Sequence, residues 1–253
     1  MKGITFQKSL EIQIVTQGES WKQGDPFEGV MKVKNRGASA VSLEEFHVHL
    51  AYGVDKKVKS KDASAFTILE TADLNVSGVL DANAETPELK WVLNAEAQTA
   101  LITDKTGSLY LLYGFGSDLS AFGSLLLTVH PRLHFEELSE VLEASHRFVR
   151  KLVKNSKDGV IEMKFVPPSG REHASIDHLM LGLKLTPDHH IDATFCFTLK
   201  KLDAAAGGGI KKVKKAVHRD FSPSEFIQTF TQRLDKDKVE HVLSEVFQEA
   251  KGN

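Results

Sequence analysis

Apolar and polar residues alternate in short runs over the first half of the chain. Leu10, Ile12 and Ile14 alternate with Glu11 and Gln13, the period of a half-buried strand. In residues 27–34, Met31 and Val33 stand against Lys32 and Lys34. Phe46, Val48, Leu50 and Tyr52 alternate with His47, His49 and Ala51. Further runs cover residues 66–69, 89–93, 109–113 and 125–129. Turn-forming residues separate the runs, notably Gly18, Gly24, Asp25 and Pro26, then Asn35-Arg36-Gly37. Seven or eight short strands at this spacing predict an antiparallel sandwich and argue against alternating βαβ units.

The pattern changes at His130-Pro131. Leu138, Val141, Leu142, Phe148, Val149 and Leu152 recur at helical spacing, with Glu136, Glu137, Glu140 and Glu143 early and Arg147, Arg150 and Lys151 late. Acid first and base last suits the helix dipole, so a helix is predicted up to about Leu152, ended by Lys157-Asp158-Gly159. Strands are predicted again at 160–166, 176–185 and 191–199. In the last of these Ile191, Ala193, Phe195, Phe197 and Leu199 share one face, and Asp192, Thr194, Cys196 and Thr198 the other. Gly207-Gly208-Gly209 reads as a flexible turn before a basic strand at 210–217, partly buried through Ile210, Val213, Ala216 and Val217. Ser222-Pro223-Ser224-Glu225 is a capping box with Pro at the first helical position. Asp235 then caps a second helix striped with Val239, Val242, Leu243, Val246 and Phe247. The predicted divisions are residues 1–129, 130–218 and a helical tail at 219–253.

Composition adds little until the charge is divided along the chain. The 253 residues carry 32 Lys+Arg against 34 Asp+Glu, a net charge of −2, with 41% hydrophobic residues. That is an ordinary globular composition, and no apolar run approaches the ~20 residues of a membrane-spanning helix. The first predicted domain has 12 basic against 16 acidic residues, the second 15 against 11, and the tail 5 against 7. The near-neutral total is a cancellation, and the middle third alone is basic. The single Cys196 excludes an intramolecular disulfide and points to a reducing, cytoplasmic setting.

The order of these segments resembles the arrestin-like proteins, and among them the bacterial sporulation-control family. The N-terminal match is Leu10–Val15, then Gly24-Asp25, then Gly29 before Val30–Val33, with Gln23 and Asp25 standing where the family has Pro and Glu. The second half matches through Val129-His130-Pro131, the helix, and Lys164-Phe165-Val166-Pro167-Pro168. It continues through Ile176-Asp177-His178-Leu179 and the strand at 191–199. The resemblance covers about residues 8–215. It implies an all-β chain of two tandem arrestin-like β-sandwiches, with a helix at the start of the second and a helical C-terminal tail. It also implies a scaffold, adaptor or regulator acting by protein binding, without catalysis.

Several residues invite other chemistry. Gly114-Phe115-Gly116-Ser117-Asp118-Leu119 opens like a dinucleotide fingerprint, but Leu119 stands where the last Gly belongs, and a hairpin turn is expected. His47 and His49 share a strand face. His173, His178, His189 and His190, with Asp177 and Asp188, cluster around strand ends, so a metal-binding protein or enzyme at this histidine-rich end is the rival reading. Zinc would need three or four convergent ligands, and no metal or cofactor is expected. Cys196 is expected to be a buried small residue rather than a nucleophile. Lys56, Lys57, Lys59 and Lys61 flank a predicted hairpin turn and read as a solvated edge.

Lys211, Lys212, Lys214 and Lys215 are the candidate partner-binding residues. This strip suits an acidic protein tail or a phosphopeptide, with peripheral contact to anionic lipid as a weaker option. Aromatic residues do not interleave with the lysines, which argues against nucleic acid. Partners are therefore expected to be other proteins, reached through sheet edges or this strip. The tail helix is expected to dock on its own domain, with a homodimer contact as the alternative.

Overall fold

The structure is a computed structural model. It describes residues 1–60, 62, 64–74, 76–94, 102–104, 107–156, 159–203 and 209–252. The predicted turn glycines 207 and 208, Lys61, and Lys157-Asp158 lie outside the described residues. The chain divides into two compact units, Met1–His130 and Pro131–Asn253.

The first unit contains β1 (Lys2–Gln7), β2 (Leu10–Thr16), β3 (Ser20–Lys22), β4 (Phe27–Asn35), β5 (Val41–Ser42) and β6 (Phe46–Val54). It continues with the one-turn helix α1 (Asp55–Lys59), then β7 (Phe66–Thr71), β8 (Val79–Leu80), β9 (Leu89–Leu93), β10 (Gly107–Phe115) and β11 (Gly123–His130). One sheet runs β1-β2-β4-β9 and the other β3-β11-β10-β6-β7. Alternation along each strand turns one set of side chains inward. Ile12, Ile14, Met31, Val33, Trp91 and Leu93 from the first sheet and Val48, Leu50, Leu109, Leu111 and Leu127 from the second form one buried cluster. This is the predicted sandwich.

Polar bonds tie the two layers and their turns. Gln7 at the end of β1 accepts from the Phe115 N–H of β10 at 2.6 Å. Asn35, fully buried, donates to the carbonyls of Ser39, Leu80 and Asp81 at 2.8, 3.3 and 3.1 Å. Gly29, one of the motif residues, lies where a Cβ would sit 2.0 Å from the Val15 carbonyl oxygen and 2.6 Å from the Trp91 ring. Its lack of a side chain lets β4 pass under the indole.

Some local expectations change. The segment 18–26, read as turn, contains β3, whose three residues pair in parallel with Thr128–His130. Lys56, Lys57 and Lys59 lie, as expected, in the connection of the β6–β7 hairpin, where they form part of the one-turn helix α1. The hairpin turn expected at Gly114–Leu119 is present: Gly114 and Phe115 end β10, and Gly116 to Leu119 open its connection to the antiparallel β11, with Gly116 at φ +81° and a 3₁₀ turn at Leu119–Ala121.

The second unit contains α2 (Leu133–Ala144), β12 (Val149–Asn155), β13 (Ile161–Val166), β14 (Ile176–Leu185), β15 (Ile191–Asp203) and β16 (Gly209–Phe221), then α3 (Pro223–Phe226) and α4 (Lys236–Lys251). The predicted helix to Leu152 therefore stops eight residues early. Arg147 has φ +57°, which ends helical geometry, and Val149 onward is strand. The last strand runs through Arg219 to Phe221, past the division expected at 218/219. Ser222 makes no side-chain capping bond to α3, whereas Asp235 caps α4 by accepting from the Lys238 N–H at 3.4 Å.

Strands β12 to β16 form one antiparallel sheet in sequence order. Met163, Leu181, Phe195 and Val217 are aligned across it and all are buried. Among the described residues the layer on this apolar face is helical, not a second sheet. Phe247 of α4 stacks on Phe148 at 5.4 Å and meets Phe197 of β15 edge-on at 5.6 Å. Val239, Leu243, Val246 and Phe247 are thus consumed inside the unit. Glu137 on α2 is wholly buried; it accepts from the Leu234 N–H at 3.0 Å and pairs with Arg233, fastening the loop after α3 to α2.

Candidate interaction surface

Cross-strand partners share a face, so the β15–β16 register sorts the lysines of the basic strand. Val217 pairs with Phe195 and Val213 with Leu199, which places Lys211, Lys215 and Arg219 on the helix-covered side. Lys212, Lys214 and His218 lie on the opposite, outer side. The four candidate lysines are therefore not one patch. Lys215 donates to the Glu249 carbonyl near the end of α4, and Arg219 bonds the Glu249 carboxylate at 2.9 Å. Cations at a helix C-terminus complement its dipole, so these two side chains dock the helix. Lys211 is exposed opposite Lys201.

The outer side carries the rest of the positive charge. Lys212 pairs across to Lys200, Lys214 to Thr198, and the row through Cys196 runs on to Met180 and Lys164. Sequence reasoning missed Lys164 and Lys200, because only the register sets Lys200 beside Lys212 and places Lys164, three strands away on β13, on the same face. Asp177, displaced by a bulge in β14, bonds Lys212 at 2.9 Å and lies 3.9 Å from Lys200. The Lys212 ammonium, with His178 next, holds the Asp177 carboxyl at about 2. Glu162 pairs with Lys154 at 2.8 Å. Among the described residues Lys164 and Lys214 have no carboxylate within salt-bridge reach. The outer face is a partly neutralised basic surface.

The edge of that surface is β16 itself, thirteen residues long and last in the sheet order. It is exposed along most of its length. Ile210 and Ala216, expected to be buried, are exposed, and only Val217 and Phe221 are buried. An edge strand offers backbone donors and acceptors for an added strand, and lysines on it discourage pairing with another copy of itself.

The other candidate residues disperse. His173 is buried among Phe148 and Phe247, at 5.1 and 5.2 Å. His178 bonds Asp177 at 3.0 Å and Thr198 at 3.2 Å, and His190 bonds Asp220 at 2.7 Å. His189 stands in an exposed turn at φ +63°. No three His, Cys, Asp or Glu side chains among the described residues converge as metal ligands. His47 and His49 stack at 5.4 Å, and His49 on Phe122 at 5.6 Å. Cys196 is exposed rather than buried. Its thiol pKa is raised, first by loss of water around the sulfur and then by Glu162, with Lys214 opposing; that is the wrong direction for a nucleophile. No helix among the described residues is long and apolar enough to cross a membrane.

The sequence matches no model of a protein family, and no curated protein matches it. As a structure, the chain is similar to Spo0M, a sporulation control protein from Bacillus subtilis. The TM-score is 0.66 and the identity 17%, covering 96% of this chain and 99% of that one. The likeness carries the fold alone: the strand-dominated, all-β architecture expected from the order of motifs is present, with a two-sheet sandwich in the first unit and a helix-covered sheet in the second. Weaker likenesses extend to Pseudomonas fluorescens alkylpurine DNA glycosylase AlkC and red sea bream transglutaminase. The first has TM-score 0.29 and 10% identity over 48% of this chain and 30% of that one; the second has 0.23 and 13% over 84% and 27%. Neither bears on fold or function.

Proposed function

We propose that the chain is a cytoplasmic, non-catalytic regulatory adaptor, and that it receives an acidic, extended segment of a partner protein along β16. The observation that carries this reading is the thirteen-residue edge strand with Lys212 and Lys214 exposed on its outer side. Strand addition supplies affinity through main-chain hydrogen bonds and selectivity through alternate side chains. Here the selecting side chains are ammonium groups, which pair with carboxylates or phosphates. The same lysines repel a second copy of β16. An exposed free thiol at Cys196 suits a reducing compartment.

The test uses a labelled ten-residue peptide alternating Glu with Val, followed by fluorescence anisotropy. Binding that weakens with salt, and weakens about ten-fold or more in Lys212→Gln/Lys214→Gln, supports the reading; two ammonium–carboxylate contacts at 1.5–3 kcal/mol each allow that much. Equal binding of a peptide with Lys in place of Glu, or no binding at low salt, overturns it.

A further inference from the structure

The β15–β16 hairpin is longer than the sheet that supports it. Strand β14 starts at Ile176, opposite Leu199, whereas β15 and β16 stay paired from Lys200–Lys212 out to Asp203–Gly209. Four residue pairs therefore run past the end of β14 as a two-stranded ribbon, about 13 Å at 3.3 Å per residue. Its base is held by the Lys200 N–H bonded to the Ser175 carbonyl at 2.7 Å.

The chemistry of the ribbon is unusual for a solvated hairpin. Leu202 and Ile210 face each other across it and are 82% and 69% exposed. Their neighbours in the ribbon are Lys200, Lys201, Lys211 and Lys212, against the single acid Asp203. The Lys200–Lys212 pair lies on the same side as Leu202–Ile210, about 7 Å further back along the strands. Lys201 and Lys211 flank the apolar pair on the other side and are exposed. Asp177 neutralises part of the Lys212 charge.

We infer that this ribbon is a membrane-docking element that seats Leu202 and Ile210 in the interface of an anionic bilayer. An interfacial element buries its apolar side about 5–10 Å into the boundary between headgroups and acyl chains. That depth matches the separation between the apolar pair and the row of lysines behind it. Lysine stems can lie along the apolar layer while the ammonium groups stay among the headgroups. A two-stranded ribbon with a cationic collar fits a lipid surface better than the groove of a folded partner, because its apolar part is one facing pair of side chains, Leu202 and Ile210, with little area. The contact is peripheral and reversible; it shares Lys212 with the strand-addition reading, but the residues that test it, Leu202, Ile210, Lys201 and Lys211, are not those that test that reading.

The experiment is sedimentation of the full chain with vesicles of phosphatidylcholine alone and of phosphatidylcholine with 30% phosphatidylserine. The protein is expected to sediment with the anionic vesicles in low salt and to be released as salt rises. Lys201→Gln/Lys211→Gln should weaken that binding roughly twenty-five-fold, about five-fold per lysine. Leu202→Ser/Ile210→Ser should weaken it at least ten-fold at unchanged charge. Both pairs are exposed, so circular dichroism should stay unchanged. The inference is overturned if the protein fails to sediment with anionic vesicles in low salt. It is also overturned if the Leu202→Ser/Ile210→Ser variant binds them as well as the parent. Loss of acidic-peptide binding in that variant, with no vesicle binding by the parent, would assign the ribbon to a protein partner and overturn it as well.

Discussion

Replacing Glu137 probes how the second unit is held together, because its carboxylate is wholly buried while its partner Arg233 is half exposed. Glu137→Ala leaves the buried Leu234 N–H without its 3.0 Å acceptor, a loss of about 1–3 kcal/mol. It also unseats Arg233, at less than the 3–5 kcal/mol typical when both charges are buried. Arg233 can turn into water, and removing the carboxylate relieves its own desolvation. A net destabilisation of about 2–3 kcal/mol follows, roughly 10 °C in the midpoint of a unit this size. Glu137→Gln keeps the volume and an acceptor for Leu234, so about 1 kcal/mol is expected. Both tryptophans, Trp21 and Trp91, and all three tyrosines lie in the first unit. Tryptophan emission therefore follows that unit alone, and circular dichroism in urea follows both. Glu137→Ala should move the dichroism transition and leave the emission midpoint in place. If Glu137→Ala and Glu137→Gln cost the same, the Leu234 acceptor is not what matters. If Glu137→Ala costs under about 0.5 kcal/mol, the whole argument fails.

Three other expectations follow from packing and titration. Gly29→Ala should cost about 1–3 kcal/mol through overpacking, seen as a lower urea midpoint and a changed Trp91 emission, since the new Cβ meets the Val15 carbonyl and the indole. Phe247→Ala should remove about 3–5 kcal/mol from the second unit, shifting the dichroism transition alone. For His49, loss of water around the ring, and next His47, lower the pKa from 6.5 to about 4. The unfolded chain therefore takes up the proton first. The stability tied to the neutral ring is complete above pH 6.5 and is lost as pH falls toward 4. The emission midpoint should fall across that window, and His49→Gln should flatten this component.

What was legible in the sequence was what local period encodes. The strand at 176–185 and the Asp235-capped α4 follow from alternation and capping alone. The overlong helix shows where period becomes ambiguous. Phe148 and Leu152 are four apart, a spacing that satisfies a helical face and a strand face equally, and only the left-handed Arg147 separates them. Strand β3 offers one apolar residue, Trp21, and its pairing with Thr128–His130 lies more than a hundred residues away, beyond any local signal. The basic strip failed in a different way. A run of four lysines looks like one patch, but a period of two assigns Lys211 and Lys215 to one side and Lys212 and Lys214 to the other. The surface on the outer side is completed by Lys200 on β15 and Lys164 on β13, which no window along the chain assigns to that side. Register, a property of two strands together, turns a charge run into a surface. It also leaves Leu202 and Ile210 beyond the reach of β14, where neither the helices nor the sheet can bury them.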